Sequence, residues 1–474
     1  MTQTLQVPFW LALVIGLFAL WALLDRLLLP SVRWYLQRRA NIIIDELNKR
    51  LDLELPPFKL TTRRVLIDRL TYDQKVLDAV EQYCLETGAL REVAIRKVEN
   101  YSREIVPDFS AYMYFRFGNM LAKRFVRTLY RMRLGYTDAA SLENLDARSS
   151  VVFVMNHRSN MDYIMVAYLA LNKMAISYAV GEWARVWPIQ QLIRSMGAYF
   201  VRRGSNNMLY RRVLERYVQM AIDGGVVQAI FPEGGLSRDG YLRPPRLGLL
   251  DYMLRGFDPD QERDVVFIPV GINYDRVLED RTLLLDRQQK ENQRTGSDAV
   301  RTTLRFIWKN IRQMLKGDWY RFGYACANFG SPVSLREFTR AREIDPRKLG
   351  KTERGLHTQE LAEMLMQRVG EVIPVLPVSL TAHVLLKYAD NGMSRLEIKA
   401  GVQDYMKKLE DTGARIYVPR SDRDYAVEVG LRMLLLRKIV SEDENGLLWV
   451  EPSDRPLLEY YRNAIAHLLP ANEA

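Results

Sequence analysis

The chain of 474 residues is 48% hydrophobic and 26% charged, which excludes a disordered or fibrous protein and allows about two or three domains. Its two cysteines, Cys84 and Cys326, exclude a disulfide framework and a cysteine-built metal cluster. A net charge of +11 favours anionic partners: a phospholipid surface, nucleic acid, a phosphorylated substrate or an acidic carrier protein.

Residues 7–24 are nearly all apolar, and a helix over that span at about 1.5 Å per residue reaches roughly 30 Å, one bilayer core. Residues 1–6 carry no charged side chain, and residues 23–26 (Leu-Leu-Asp-Arg) are not a signal-peptide cleavage site. Basic residues follow at Arg26, Arg33, Arg38, Arg39, Lys49 and Arg50. The expectation is one transmembrane anchor with the bulk of the chain facing the cytoplasm. A buried soluble helix and an in-plane interfacial helix are the alternatives.

Residues 31–136 read as mostly helical, with spaced apolar positions over 40–51 and 72–102. Residues 111–133 read as a core helix with a solvated basic face, or as a surface for anionic lipid. From 149 to about 335 the character alternates. Strands are expected over 151–155, 198–201, 226–231, 265–270 and 324–329, with helical stretches such as 208–222 between them. That alternation predicts an α/β domain. Residues 343–474 return to helix, broken at Pro374 and Pro377. Near the end, 434–440 and 447–450 are expected to close a hairpin at Asn445-Gly446, giving a winged-helix-like lobe. No focused basic recognition helix accompanies it, so nucleic acid is not the expected partner.

The strand expected at 151–155 ends abruptly in Asn156-His157-Arg158-Ser159-Asn160-Met161-Asp162. Ligands of open α/β sheets bind at such carboxyl ends. His157 is the sole histidine before His357. An imidazole takes a proton near neutral pH, and a carboxylate on its other nitrogen fixes the tautomer. By themselves, a histidine and an aspartate five apart read equally well as a polar loop residue and a helix N-cap. Further clusters stand at or past the other strands. Arg202 and Arg203, before Gly204, suit a phosphate, or else form a solvated basic turn. Phe231-Pro232-Glu233-Gly234-Gly235-Leu236-Ser237-Arg238 places an acid before two glycines, which let backbone approach a ligand closely. Glu233 would bond polyol hydroxyls there, and Ser237 and Arg238 a phosphate; a Gly-rich turn with incidental charges is the plainer reading. Residues 266–274, a strand interrupted by Pro269, read as an edge strand or one lining a pocket, or at least as well as plain sheet core. Asp162 and Glu233 without further clustered ligands make a poor metal site, and no metal is expected.

In that order, these blocks resemble the glycerolipid acyltransferase superfamily, with its His-x4-Asp signature. They are most similar to the bacterial membrane-bound glycerol-3-phosphate acyltransferases and their dihydroxyacetone-phosphate relatives. Residues 328–333 (Asn-Phe-Gly-Ser-Pro-Val) and 460–467 (Tyr-Tyr-Arg-Asn-Ala-Ile-Ala-His) extend the likeness. The resemblance implies a central mixed sheet flanked by helices; with the pattern along the chain, the expected regions are 1–30 transmembrane anchor, 31–140 helical, 141–340 α/β acyltransferase domain, and 341–474 helical with a winged-helix-like lobe as one reading. It implies His157 as general base supported by Asp162, and an acceptor site from Arg158, Ser159, Arg202, Arg203, Glu233, Gly234, Gly235, Ser237 and Arg238. Leu236 departs from the family, whose glycerol-3-phosphate enzymes usually carry arginine there, and Pro232 is more typical of lysophosphatidate acyltransferases.

The expected function is acyl transfer from acyl-CoA or acyl carrier protein to the 1-hydroxyl of glycerol 3-phosphate, the first step of phospholipid synthesis, at the cell inner membrane. The thioester is a co-substrate; no cofactor is expected, and membrane phospholipid is the other partner. Lysophosphatidate or dihydroxyacetone phosphate are alternative acceptors. A non-catalytic lipid-binding scaffold is the alternative of another class, and a scaffold has no need of the His157–Asp162 pair.

Overall fold

The computed structural model describes residues 56–470 apart from 112, 147, 171–174, 182–188, 203, 289–321 and 389–390. The anchor expected at 1–30, the helix expected at 40–51 and Arg203 therefore lie outside the described residues. Among the described residues no helix is long and apolar enough to cross a membrane.

The fold is a mixed α/β structure whose central sheet is flanked by helices on both faces. The strands are β1 (Arg131–Thr137), β2 (Ser150–Met155), β3 (Ser177–Val180), β4 (Tyr199–Phe200), β5 (Gln228–Ile230), β6 (Val265–Tyr274), β7 (Tyr324–Phe329) and β8 (Val333–Ser334). They run in the order β1-β7-β6-β2-β5-β3-β4, with β8 also paired to β6. β2 lies between β6 and β5 and is parallel to both, whereas β6 and β7 are antiparallel. A strand buried on both faces and both edges needs a continuous apolar run, which Val151 to Met155 supplies.

Alternate side chains of β2 face opposite layers, as the period of two requires. Val152 and Val154 join the core formed with helices α1 (Arg63–Thr71), α2 (Gln74–Thr87) and α3 (Arg91–Ile105). Phe153 and Met155 point into the other core. That second layer contains α4 (Asn119–Leu129) and α5 (Met161–Ala170). On the first face α6 (Met208–Asp223), α7 (Gly248–Arg255) and α8 (Lys351–Glu371) complete the packing. On the second face, α9 (Pro377–Lys387), α10 (Arg395–Asp411), α11 (Arg423–Leu436) and α12 (Arg455–Asn463) continue one core outward from the sheet. The C-terminal helices thus share buried side chains with the sheet.

Several expectations require correction. Residues 131–133, expected at the end of a helix, begin β1 instead; the helix stops at Leu129. β1 is a sheet edge whose side chains are largely exposed, so it carries no apolar run to betray it. Strand β3 was likewise not expected. Within 72–102 the spaced apolar positions fall on two helices, α2 and α3, with Gly88, at φ +68°, ending α2. β6 is not an edge but buried sheet core, the plainer of the readings, and it runs beyond 265–270 to Tyr274. It tolerates Pro269 because that residue falls where the neighbour on one side changes, β8 facing Val266 and Phe267 and β7 facing Val270 onward. At the C-terminal end, α11 runs to Leu436, so the hairpin arm begins only at Val440: β9 (Val440–Glu442) pairs antiparallel with β10 (Leu448–Val450).

Candidate active site

The polar loop after β2 is held by its first residue. The Asn156 amide donates to Ile272 O at 2.9 Å and accepts from Ile272 N at 2.7 Å, tying the loop to the edge of β6. The chain then turns into α5, and Asp162 in its first turn reaches back over the loop. Asp162 Oδ2 accepts from Arg158 N at 2.7 Å and Ser159 N at 3.0 Å, and meets His157 Nδ1 at 2.9 Å. Its other oxygen accepts the Tyr274 hydroxyl at 2.6 Å. One carboxylate thus orders the loop and orients the imidazole; it is not the helix N-cap, since its backbone donors precede α5 and Met161 N donates to Ser159 Oγ at 3.1 Å instead.

With Nδ1–H directed at Asp162, a neutral His157 keeps its acceptor lone pair on Nε2. The ring stacks on Phe231 at 4.1 Å between centroids and meets Tyr163 edge-on at 5.5 Å. His157 and Asp162 are both almost fully buried. Burial, reinforced by the neighbouring Asp162 carboxylate, raises the Tyr274 phenol well above its ordinary range, so it remains a donor.

The Gly-rich loop after β5 is pinned against this turn. His157 N donates to Glu233 Oε1 at 2.8 Å, Arg243 N donates to Glu233 Oε2 at 3.2 Å, and Ser237 N donates to His157 O at 2.9 Å. Burial pushes the Glu233 carboxyl up to about 8, the backbone donors opposing it. Glu233 therefore braces two loops. Ser237 Oγ is engaged within its own turn, donating to Tyr241 O at 2.8 Å and accepting from Gly240 N at 3.0 Å. Gly234 adopts φ +67° with the Arg246 side chain packed over it, and Gly235 is buried beside it.

Arg158 is 3% exposed yet forms no ion pair among the described residues. Its Nη1 donates to Gly240 O at 2.5 Å, and its guanidinium lies 4.6 Å from the Tyr460 ring centroid. Nε and Nη2 have no partner. A buried cation with two free N–H groups calls for an anion. Glu233 is near enough to interact electrostatically with Arg158. Near neutral pH, though, its raised carboxyl brings little charge. Arg238, half-buried, has no hydrogen-bonding or ionic partner among the described residues.

Other residues of the expected site are engaged elsewhere. Ser159 Oγ donates to Glu279 Oε2 at 2.7 Å, and Asn160 donates to Glu279 Oε1 through both N and Nδ2. Burial pushes Glu279 up to about 7. Arg202 forms a two-pronged pair with Glu104 at the end of α3, at 2.8 and 2.5 Å. No group of histidine, cysteine and acid side chains among the described residues is arranged to hold a metal ion.

Sequence reasoning missed Tyr274, Glu279, Arg243, Arg246 and Tyr460. Two signals stood in the sequence: the basic stretch 243–246 (Arg-Pro-Pro-Arg) just after the Gly-rich block, and the 460–467 block, which begins with Tyr460.

Two family models match the chain. The acyltransferase model covers residues 138–273, and the model of the glycerol-3-phosphate acyltransferase C-terminal region covers residues 288–472. The chain is thus similar to acyltransferases over 138–273 and to glycerol-3-phosphate acyltransferases over 288–472. Its relatives include the glycerol-3-phosphate acyltransferase of Aeromonas hydrophila, 28% identical over 420 residues, which covers 86% of this chain and 50% of that protein. Those of Alteromonas mediterranea and Pseudomonas aeruginosa are also 28% identical, over 433 and 427 residues. They cover 86% and 87% of this chain, and 50% and 49% of their own lengths. The chain thus spans about half the length of the relatives it matches. Among solved structures, the 1-acyl-sn-glycerophosphate acyltransferase of Thermotoga maritima is similar at 16% identity and a TM-score of 0.29, covering 65% of this chain and 97% of that one.

Proposed function

We propose that this acyltransferase moves a fatty acyl group from a coenzyme A or acyl-carrier-protein thioester to the 1-hydroxyl of glycerol 3-phosphate. The observation that carries this reading is a buried imidazole, oriented by Asp162 at 2.9 Å, beside the buried and incompletely partnered guanidinium of Arg158. One group removes a proton; the other attracts an anion.

In this reading the acceptor hydroxyl gives its proton to His157 Nε2 while its oxygen attacks the thioester carbonyl carbon. Asp162 offsets the charge that appears on the imidazole. The tetrahedral intermediate then collapses: the C–S bond breaks, the new C–O ester remains, and the departing thiolate takes the proton from His157. No acyl-enzyme is required. The acceptor phosphate would be met by Arg158 and Arg238. Arg243, whose Nη1 lies 3.4 Å from Leu236 O, stands close to the position where family members carry arginine. Arg202 would contribute to the acceptor site only by releasing Glu104, and a role for Arg203 rests on the family resemblance alone. The product would enter phospholipid synthesis, with the chain anchored at the inner membrane through residues 7–24 and its basic charge turned to anionic lipid.

A second reading, lysophosphatidate as acceptor, draws on Pro232 and Leu236; Leu236 is half-buried against the core rather than displaying a charge. The test is acyl transfer by the purified protein, with labelled glycerol 3-phosphate, dihydroxyacetone phosphate and lysophosphatidate offered in parallel and His157→Ala as control. Product from glycerol 3-phosphate that disappears with His157→Ala is expected. Product from lysophosphatidate alone would overturn the acceptor assignment, and turnover unaffected by His157→Ala would overturn the base.

A further inference from the structure

Helix α12 packs on Arg158 and on the loop at Asp239-Gly240 that holds it. Tyr460 presents its ring to the Arg158 guanidinium, 4.6 Å from the centroid, and is itself fully buried. One residue-turn further on, Asn463 Nδ2 donates to Asp239 O at 2.8 Å. Between these contacts lies Gly240, at φ +90°, where a Cβ would come within 2.1 Å of Tyr460 O. The helix therefore requires glycine at 240, and Gly240 O in turn takes the Arg158 Nη1 hydrogen bond. The guanidinium is held from two directions: a carbonyl at one nitrogen and an aromatic face. The remaining nitrogens, Nε and Nη2, are left free in a buried setting.

We infer that Tyr460 is a positioning residue for the acceptor phosphate: it fixes Arg158, through its ring, in the orientation that leaves Nε and Nη2 facing the anion. This rests on the proposed function for the acceptor's identity, but its physics needs only a phosphate-bearing ligand. A ring of high electron density on the guanidinium lowers the cost of keeping it dry and immobile before ligand arrives. The C-terminal helices would thereby set acceptor affinity while taking no part in proton transfer, which belongs to His157 and Asp162.

Binding of inorganic phosphate by calorimetry, and steady-state kinetics with glycerol 3-phosphate, test this on the full chain. Tyr460→Leu is expected to weaken phosphate binding and raise KM for the acceptor by about 5- to 30-fold, with kcat within about twofold. Tyr460→Phe keeps the ring and is expected to behave within about twofold of the parent in both. Because Tyr460→Leu opens a buried site, a series of fluorinated phenylalanines at position 460 supplies the decisive readout: shape is kept while ring electron density falls. Phosphate affinity that declines along that series supports the inference. Affinity flat along the series, or a folded Tyr460→Leu protein that binds phosphate normally, overturns it. Should phosphate binding follow the series while no glycerol 3-phosphate is turned over, the positioning role stands and the acceptor assignment fails.

Discussion

The Tyr274 hydroxyl donates to Asp162 Oδ1 at 2.6 Å, on the oxygen that His157 does not use. The two oxygens of one buried carboxylate are therefore divided between a fixed phenol and the imidazole. Tyr274 ends β6 and Asp162 begins α5, so the sheet itself sets how the carboxylate is turned.

Tyr274→Phe removes that donor with little change in shape. Loss of a hydrogen bond to a charged group costs about 1.5–3 kcal/mol. If roughly half of that is felt in the transition state, kcat falls about 4- to 13-fold. KM for the acceptor is expected within twofold, and steady-state kinetics separates the two. A larger change in KM than in kcat would mean that Tyr274 serves binding instead.

Asp162→Asn replaces the acceptor of three donors on Oδ2 by an amide, which cannot favour Nδ1–H on His157 and also accept from both backbone groups. By analogy with the aspartate of hydrolase triads, kcat is expected to fall by about 10³–10⁴. Loss of less than tenfold would show that the carboxylate only orders the loop at Arg158 and Ser159.

Asp275 is fully buried, accepts from Tyr324 N at 2.8 Å and Val378 N at 3.3 Å, and is pushed up by burial to about 7 from its ordinary 3.8. An acid raised in the folded state binds more protons there than in the unfolded chain. Its contribution is thus fully present below about pH 4 and lost as pH rises through 7. At 1.36 kcal/mol per pKa unit the swing is at most about 4 kcal/mol. Glu279, raised to about 7, adds in the same direction. Urea midpoints measured between pH 4 and 8 are expected to fall with pH after other titrations are subtracted, and Asp275→Asn to flatten part of the slope. An unchanged slope in Asp275→Asn would assign it to other groups.

Arg202 and Glu104 are joined by two hydrogen bonds, with side-chain exposures of 36% and 17%. Solvent screening limits such a pair to about 1 kcal/mol. In a double-mutant cycle, Arg202→Ala and Glu104→Ala are expected to couple by about that amount in unfolding free energy. Strictly additive effects would show that the pair contributes nothing to stability.

The local features were legible because each is written in neighbouring residues. The apolar run of β2 and its polar termination, the spacing of α6, and the strand β7 all follow from a repeating pattern over a few positions. Edge strand β1 was not legible, since solvent on its side chains removes the pattern. The pairing of His157 with Asp162 needed only a turn within five residues, a distance over which sequence spacing still constrains geometry.

By itself, then, the sequence determined which residue types stand at the strand ends and which family motifs they compose. Only the tertiary structure decided their partners. Tyr274 lies 112 residues from Asp162, Glu279 lies 120 from Ser159, and Tyr460 lies 302 from Arg158. It also decided that Arg202 faces Glu104, and that Glu233 braces the turn at His157 N. Backbone periodicity acts over a turn or a strand, whereas these contacts depend on sheet order and on where α12 comes to rest. Burial then completes the distinction, because the same carboxyl or guanidinium acquires a different proton affinity, or a need for an anion, once water is removed from it.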